Sequence, residues 1–279
     1  MPTNDHSWQK TQPKAGILPD ELHLWQALLP SQPPQLEQLE RYLANEELRR
    51  ADRYFFEKDR SRFVAARGLL RKMLGAYLNC SPRSVKFDYT ATGKPLLASP
   101  GPLHFNLSHA GELALFAFSL DRPVGVDIEQ MRADIELEAI ARQFFSPREI
   151  QAIALIPETE KRALFYQFWC RKEALLKALG AGLSYPAENL DVTPVSTFGW
   201  TAISIPGKGN LMVQDLAPAV GYKAAVAIQA GACSPFFTGH STRCPTMHTG
   251  HFFRSSTRGA AITAPGDLCI DPGLISQSG

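Results

Sequence analysis

Two amphipathic stretches, residues 60–78 and 161–179, are each followed by turn residues and then by short strand-like runs, and this repeated order constrains the fold more than any other feature. Short strands joined by tight turns pair locally and antiparallel, and a long helix beside them covers one sheet face, so the pattern predicts an α+β chain. In the first stretch Phe63, Ala66, Leu70, Met73, Leu74 and Tyr77 recur at helical spacing, with Arg60, Arg62, Arg67, Arg71 and Lys72 elsewhere. In the second, Phe165, Phe168, Leu175, Leu176 and Leu179 form apolar flanks, and Gly180-Ala181-Gly182 supplies a stop. Arg67-Gly68-Leu69-Leu70-Arg71-Lys72 faintly echoes Lys172-Glu173-Ala174-Leu175-Leu176-Lys177. Two related lobes explain that echo, and amphipathic helices also show such likeness by chance.

The remaining segments fall around this frame. Leu22-His23-Leu24-Trp25 reads as an edge strand closed off by Pro33-Pro34, and residues 36–54 follow a helical period that ends in Arg49, Arg50 and Arg53. Residues 85–89 alternate as a half-buried strand, and Thr92-Gly93-Lys94-Pro95 is a turn with Lys94 at its tip. Residues 103–107 and 113–118 read as two strands, with His109 in the loop 108–112 between them, and residues 124–129 form a third. Helix is expected over 135–145, with Ser146 capping and Pro147 opening the next one; strands follow at 200–205, 211–216 and 222–228. This divides the chain into an N-terminal α+β lobe (1–122), a C-terminal α+β lobe (123–230) and a tail (231–279) rich in Ser, Thr, Gly, Pro and His, expected to be disordered. Cys233, His240, Cys244, His248 and His251 in that tail match no zinc spacing.

Composition excludes several classes. A net charge of +2 over 279 residues does not suggest wholesale nucleic-acid binding, although basic residues gather in the first third and suit a small polyanion. Five scattered cysteines and a polar start favour a reducing cytoplasm, and no apolar run is long enough to span a bilayer.

The chemistry is concentrated in three places. Asp127 and Glu129 sit two apart on a strand, so their carboxylates leave one face. Like charges that close repel unless a cation lies between them, and an all-oxygen ligand set favours Mg²⁺ over Zn²⁺; solvated acidic strand ends show the same spacing. Steps of four along the second helix align Trp169, Glu173 and Lys177, which alone is also the pattern of an exposed ion pair. His109, with Ser108 beside it, adds to Lys94 and the upstream arginines a set of donors suited to phosphate groups. Glycine-rich phosphate loops are absent.

Phe105-Asn106-Leu107-Ser108-His109, Val124-Gly125-Val126-Asp127-Ile128-Glu129 and Trp169-Cys170-Arg171-Lys172-Glu173-Ala174-Leu175-Leu176-Lys177, in this order and with the Gly93-Lys94-Pro95 turn, resemble the 4′-phosphopantetheinyl transferases of the surfactin-synthetase-activating type. The resemblance covers about residues 20–230. It implies a cytoplasmic monomer of two similar lobes related by a pseudo-twofold axis, each a small antiparallel sheet with packed helices, with coenzyme A and Mg²⁺ in the cleft between them. Carried over by residue, it implies Asp127, Glu129 and Glu173 as Mg²⁺ ligands and Lys177 on the pyrophosphate. Lys94 and Pro95 would meet the adenosine end, Ser108 and His109 the 3′-phosphate, and Arg50, Arg53 and Lys172 further parts of the coenzyme.

The implied reaction is attack by a serine hydroxyl of an apo acyl or peptidyl carrier protein on the β-phosphorus of coenzyme A. Glu173 removes the proton, directly or through water, Asp127 and Lys177 complete the catalytic set, and adenosine 3′,5′-bisphosphate leaves. No nucleic acid or membrane partner is implied. The rival readings are a transferase restricted to the fatty-acid carrier protein, which such resemblance makes a shorter single-lobe chain, and a non-catalytic carrier-binding module.

Overall fold

The structure, a computed structural model, describes residues 9–10, 16–180, 185–194, 199–230 and 246–253. The strand β1 (Gln9–Lys10) and the strand β2 (Glu21–Leu28) lead into α1 (Pro33–Glu40), α2 (Asn45–Ala51) and α3 (Glu57–Leu78). Next come the hairpin β3 (Phe87–Tyr89) and β4 (Pro95–Leu97), then β5 (Leu103–Ala110), β6 (Leu113–Leu120) and β7 (Val124–Gln130). Helices α4 (Leu137–Phe144), α5 (Pro147–Ala154) and α6 (Glu158–Leu179) precede β8 (Thr201–Ile205), β9 (Gly209–Leu216), β10 (Tyr222–Gln229) and β11 (Thr246–Phe253). The α+β reading therefore stands.

The first sheet has the order β1-β11-β2-β6-β5 and the second β7-β10-β9-β8. All pairs in the second are antiparallel, and so are β2 with β6 and β5 with β6. The first sheet is mixed, because β11 joins β2 in parallel and β1 joins β11 in parallel. This departs from two expectations: the segment 231–279 contributes a strand, and β2 lies between two neighbours instead of at an edge. Residues 231–245 and 254–279 lie outside the described residues.

Strand alternation explains how the layers stack. On β6, Ala114, Phe116 and Phe118 pack with Leu69, Leu70, Met73 and Leu74 of α3, while Leu113, Leu115 and Ala117 turn to the other side. There they meet Leu22 and Leu24 of β2 and Val124, Val126 and Ile128 of β7, so one apolar layer is shared by the two sheets. A third cluster joins α6, through Phe165, Phe168, Leu175 and Leu176, to Val213, Ala225 and Ala227 of the second sheet. Full burial of side chains such as Phe116 and Phe168 contributes about 1.5–3 kcal/mol each.

Several boundaries differ from the periodic reading for local reasons. The helix expected over 36–54 is two, because residues 41–44 break the ladder before α2. Helix α3 begins at Glu57 and stops at Asn79, whose φ of 50° places it in the left-handed region. Arg67 and Arg71, expected on its outer side, are both buried around Glu47 of α2, with Arg71 Nε 2.5 Å from its carboxylate. Two arginines round one carboxylate read as surface charge in the sequence and become an interior only when α2 packs on α3. Ser146 caps α5 as expected, accepting from the Glu149 N–H at 3.3 Å.

Candidate active site

The site lies where the edge strands of the two sheets meet α6. On β7 the residues facing away from the shared apolar layer are Gly125, Asp127 and Glu129. The helix passes so close to Gly125 that a Cβ there would lie 2.1 Å from the carbonyl oxygen of Ala174 and 2.5 Å from the amide nitrogen of Ala178. This approach places the last two turns of α6 directly over the acidic positions of β7, which is why Lys177 reaches them.

Asp127 is 2 % exposed, and its Oδ1 accepts from Lys177 Nζ at 2.8 Å and from the Ser108 hydroxyl at 3.0 Å. Lys177 Nζ also donates to Ser108 Oγ at 3.1 Å. The other carboxylate oxygen of Asp127, Oδ2, is buried without a hydrogen-bond partner. Burial of a carboxylate oxygen with nothing to bind it is costly, and a cation is the natural complement.

The two glutamates carry the electrostatic signature of crowding. Burial, then the negative charge of Asp127, raises Glu129 to about 8 against the opposing pull of Lys177, with Glu173 adding to the rise and the Trp169 side chain donating a hydrogen bond to its carboxylate. Burial and Asp127 likewise raise Glu173 to about 7. Burial works to lower Lys177, but Asp127 and Glu173 outweigh it and its pKa is raised. The three carboxylates thus act on one another across β7 and α6. Among the described residues, no group of three such side chains stands at metal-holding distances. The donor set is all oxygen, with one oxygen orphaned and two carboxylates whose charged forms are disfavoured by burial and then by Asp127, and this chemistry fits a hard divalent cation.

Other positions singled out from the sequence fall elsewhere. The sequence pattern offers Ser108 and His109 together from a loop; both instead lie on β5, with His109 paired to Ala114 and a tight turn at Gly111, φ 56°. Consecutive strand residues leave opposite faces, so Ser108 meets Asp127 while His109 faces the side of Phe105, Leu107 and α3. Desolvation, then the positive charges of Lys177 and Arg62, lowers His109 to about 4.

Lys172 is turned away from the carboxylates. Its ammonium is 3.0 Å from Glu149 Oε2 and bonds the carbonyls of Ala187 and Leu190, so the position expected to touch the coenzyme is a buried structural charge. Five residues on from Lys172 a helix has turned through about 140°, which separates it from Lys177. Arg50 lies with its guanidinium 5.2 Å from the Phe63 ring centroid, and Arg53 is exposed just past α2. The Lys94 ammonium donates to the carbonyls of Lys177 at 2.6 Å and Val124 at 3.1 Å, and Pro95 is buried at the start of β4.

Asn106 escaped the sequence reading. Its Oδ1 accepts the Val126 N–H at 2.8 Å and so joins the edge of the first sheet to the edge of the second, one residue before Asp127. The available signal was an amide side chain in the middle of a strand, between Phe105 and Leu107, where Asn is disfavoured.

Comparison with known proteins adds the family context. Residues 25–120 match the family described as 4′-phosphopantetheinyl transferase, N-terminal, and residues 123–214 match the 4′-phosphopantetheinyl transferase superfamily. The chain is 42 % identical over 182 residues to the 4′-phosphopantetheinyl transferase HetI of Nostoc sp., covering 64 % of this chain and 77 % of that one. It is 35 % identical over 174 residues to a putative 4′-phosphopantetheinyl transferase of Synechocystis sp., covering 58 % and 70 %. To the 4′-phosphopantetheinyl transferase Sfp of Bacillus subtilis it is 29 % identical over 188 residues, covering 66 % and 81 %.

Proposed function

The chain belongs to the 4′-phosphopantetheinyl transferase superfamily, and on that premise we propose how its own residues transfer the 4′-phosphopantetheine arm of coenzyme A to a serine of an apo acyl or peptidyl carrier protein. The observation that carries the reading is the meeting of Asp127, Ser108 and Lys177 from three elements beside two glutamates whose charges repel.

Asp127, Glu129 and Glu173 are the residues that would hold Mg²⁺, and the ion would supply positive charge against the diphosphate of coenzyme A. Lys177 places its ammonium beside the same diphosphate. Glu173, with its pKa raised to about 7, is matched to accept the serine proton near neutral pH. A bond forms from the serine oxygen to the β-phosphorus as the bond from that phosphorus to the bridging oxygen breaks. Adenosine 3′,5′-bisphosphate departs with the bridging oxygen, and the proton resides on Glu173. Positioning and fixed charge supply most of the acceleration, as in phosphoryl transfer generally. In this reading Arg50, Arg53, Pro95 and His109 would contact other parts of the coenzyme.

The two 22-residue helices, α3 on the first sheet and α6 on the second, support a reading as two similar lobes related by a pseudo-twofold axis, with the boundary at residues 122–123 and a cleft between them. The protein acts as a monomer in the cytoplasm in this reading. No helix among the described residues is long and apolar enough to cross a membrane.

The test is incubation with coenzyme A, Mg²⁺ and an apo carrier domain, followed by mass spectrometry. The carrier gains the mass of one phosphopantetheine arm at its serine; a carrier recovered unmodified under these conditions refutes the reading.

A further inference from the structure

One ammonium grips the main chain of both elements that deliver the ion pair of the site. Lys94 Nζ donates to the carbonyl of Lys177 at 2.6 Å and to the carbonyl of Val124 at 3.1 Å. Lys177 is the residue whose side chain meets Asp127, and Val124 lies three residues before Asp127 on β7. The last carbonyls of a helix have no partner within it, and the negative end of the helix dipole favours a cation there. The Lys177 carbonyl also accepts from the Gly180 N–H at 3.3 Å, so the Lys94 ammonium completes its hydrogen bonding. Lys94 is itself anchored: its N–H donates to Thr90 Oγ1 at 3.0 Å and its carbonyl accepts from the Thr90 N–H at 2.9 Å. The chain from Thr90 to Lys177 is therefore continuous in hydrogen bonds.

We propose that Lys94 is a positioning residue: it ties the turn between β3 and β4 to the end of α6 and the start of β7, and thereby sets Lys177 against Asp127. This differs from a direct coenzyme contact, since both carbonyls that hold the ammonium belong to the protein. The effect on turnover rests on the transferase reading, whereas the tether itself does not.

The experiment uses the full chain with Lys94→Met, and Lys94→Gln as a milder variant that can still donate to one carbonyl. Two readouts are taken: steady-state kinetics with coenzyme A and an apo carrier domain, and hydrogen exchange of the amides of residues 178–180. Lys94→Met is expected to lower kcat by about tenfold or more with KM for coenzyme A within about twofold, and to speed exchange at those amides several-fold. Lys94→Gln falls between wild type and Lys94→Met, and decides the matter by the same readouts if the methionine variant does not fold. A KM for coenzyme A raised about tenfold with kcat retained makes Lys94 a ligand contact and overturns the proposal. Unchanged kinetics, or unchanged exchange at 178–180, overturns it as well. If the wild-type chain modifies no carrier, the transferase reading falls while the exchange result still upholds or refutes the tether.

Discussion

The ammonium of Lys177 lies 2.8 Å from Oδ1 of Asp127, and the Ser108 hydroxyl lies 3.0 Å from the same oxygen. One helix residue and one strand residue of the first sheet thus fasten one side of a buried carboxylate on the second sheet and leave Oδ2 without a partner.

Breaking a buried pair leaves one charge uncompensated, at a cost of about 3–5 kcal/mol when burial is complete. Lys177→Met is expected to lower Tm by roughly 5–15 °C and to abolish transfer. Adding Asp127→Asn to it restores much of the lost Tm without restoring transfer. Thermal melts and single-turnover assays on the two variants check this, and recovery of activity in the double variant contradicts it.

Replacing Glu173 by Gln keeps the shape and removes the proton acceptor. The expected result is a fall in kcat by roughly 10²–10⁴ with carrier binding retained, read by titrating labelled carrier protein. Equal loss of binding and turnover points instead to a docking role.

Glu129 and Glu173, raised to about 8 and about 7 in the metal-free protein, bind protons in the native state that they release when the chain unfolds. Stability from these groups therefore falls as pH rises from the ordinary glutamate range through those values. His109, lowered to about 4, acts in the opposite sense below its ordinary value near 6.5, and Lys94, lowered to about 8 by desolvation and Lys177, acts above that point. Between about pH 6.5 and 7.5 the glutamates dominate. Without Mg²⁺, Tm falls across that interval, and Mg²⁺ raises it more at the upper end; the fall is absent in Glu129→Gln/Glu173→Gln. A Tm that climbs across the interval without metal contradicts the crowding of the three carboxylates.

Gly125→Ala adds a Cβ where Ala174 O stands 2.1 Å away, and the clashing atoms are helix backbone that cannot rotate aside. Overpacking of this kind costs about 1–3 kcal/mol or more. The expected outcome is loss of transfer together with a lower Tm, while a fully active alanine variant shows that α6 does not approach β7 as described.

Lys172→Met strands Glu149, which is fully buried and also bonds Val192 and Ser146 through their N–H groups. Tm falls, and KM for coenzyme A in the surviving folded protein is unchanged. A raised KM revives Lys172 as a coenzyme contact.

Much of the architecture is local and was legible in the sequence. The period-two strand at Asp127 and Glu129, the helical period of α6 and the Ser146-Pro147 start are set by neighbours in the chain. What escaped depends on long-range partners. Arg67 and Arg71 look like surface charges until Glu47 is packed against them, and Lys172 looks like Lys177 until Glu149 encloses it. The parallel pairing of β11 with β2 joins segments over 200 positions apart, which no local pattern records. Gly111 suggests a wide turn that takes in His109; the strand instead runs on to Ala110, and the parity of Ser108 and His109 follows.

The central claim is that Asp127, Glu129 and Glu173 converge on one divalent ion that also holds the diphosphate of coenzyme A. Crystals grown with coenzyme A and Mn²⁺ in place of Mg²⁺ test it through the anomalous signal of the metal. The account predicts one strong peak touching all three carboxylates and the diphosphate. A peak bound by other residues, or coenzyme A seated away from Lys177 with no metal between these side chains, contradicts it.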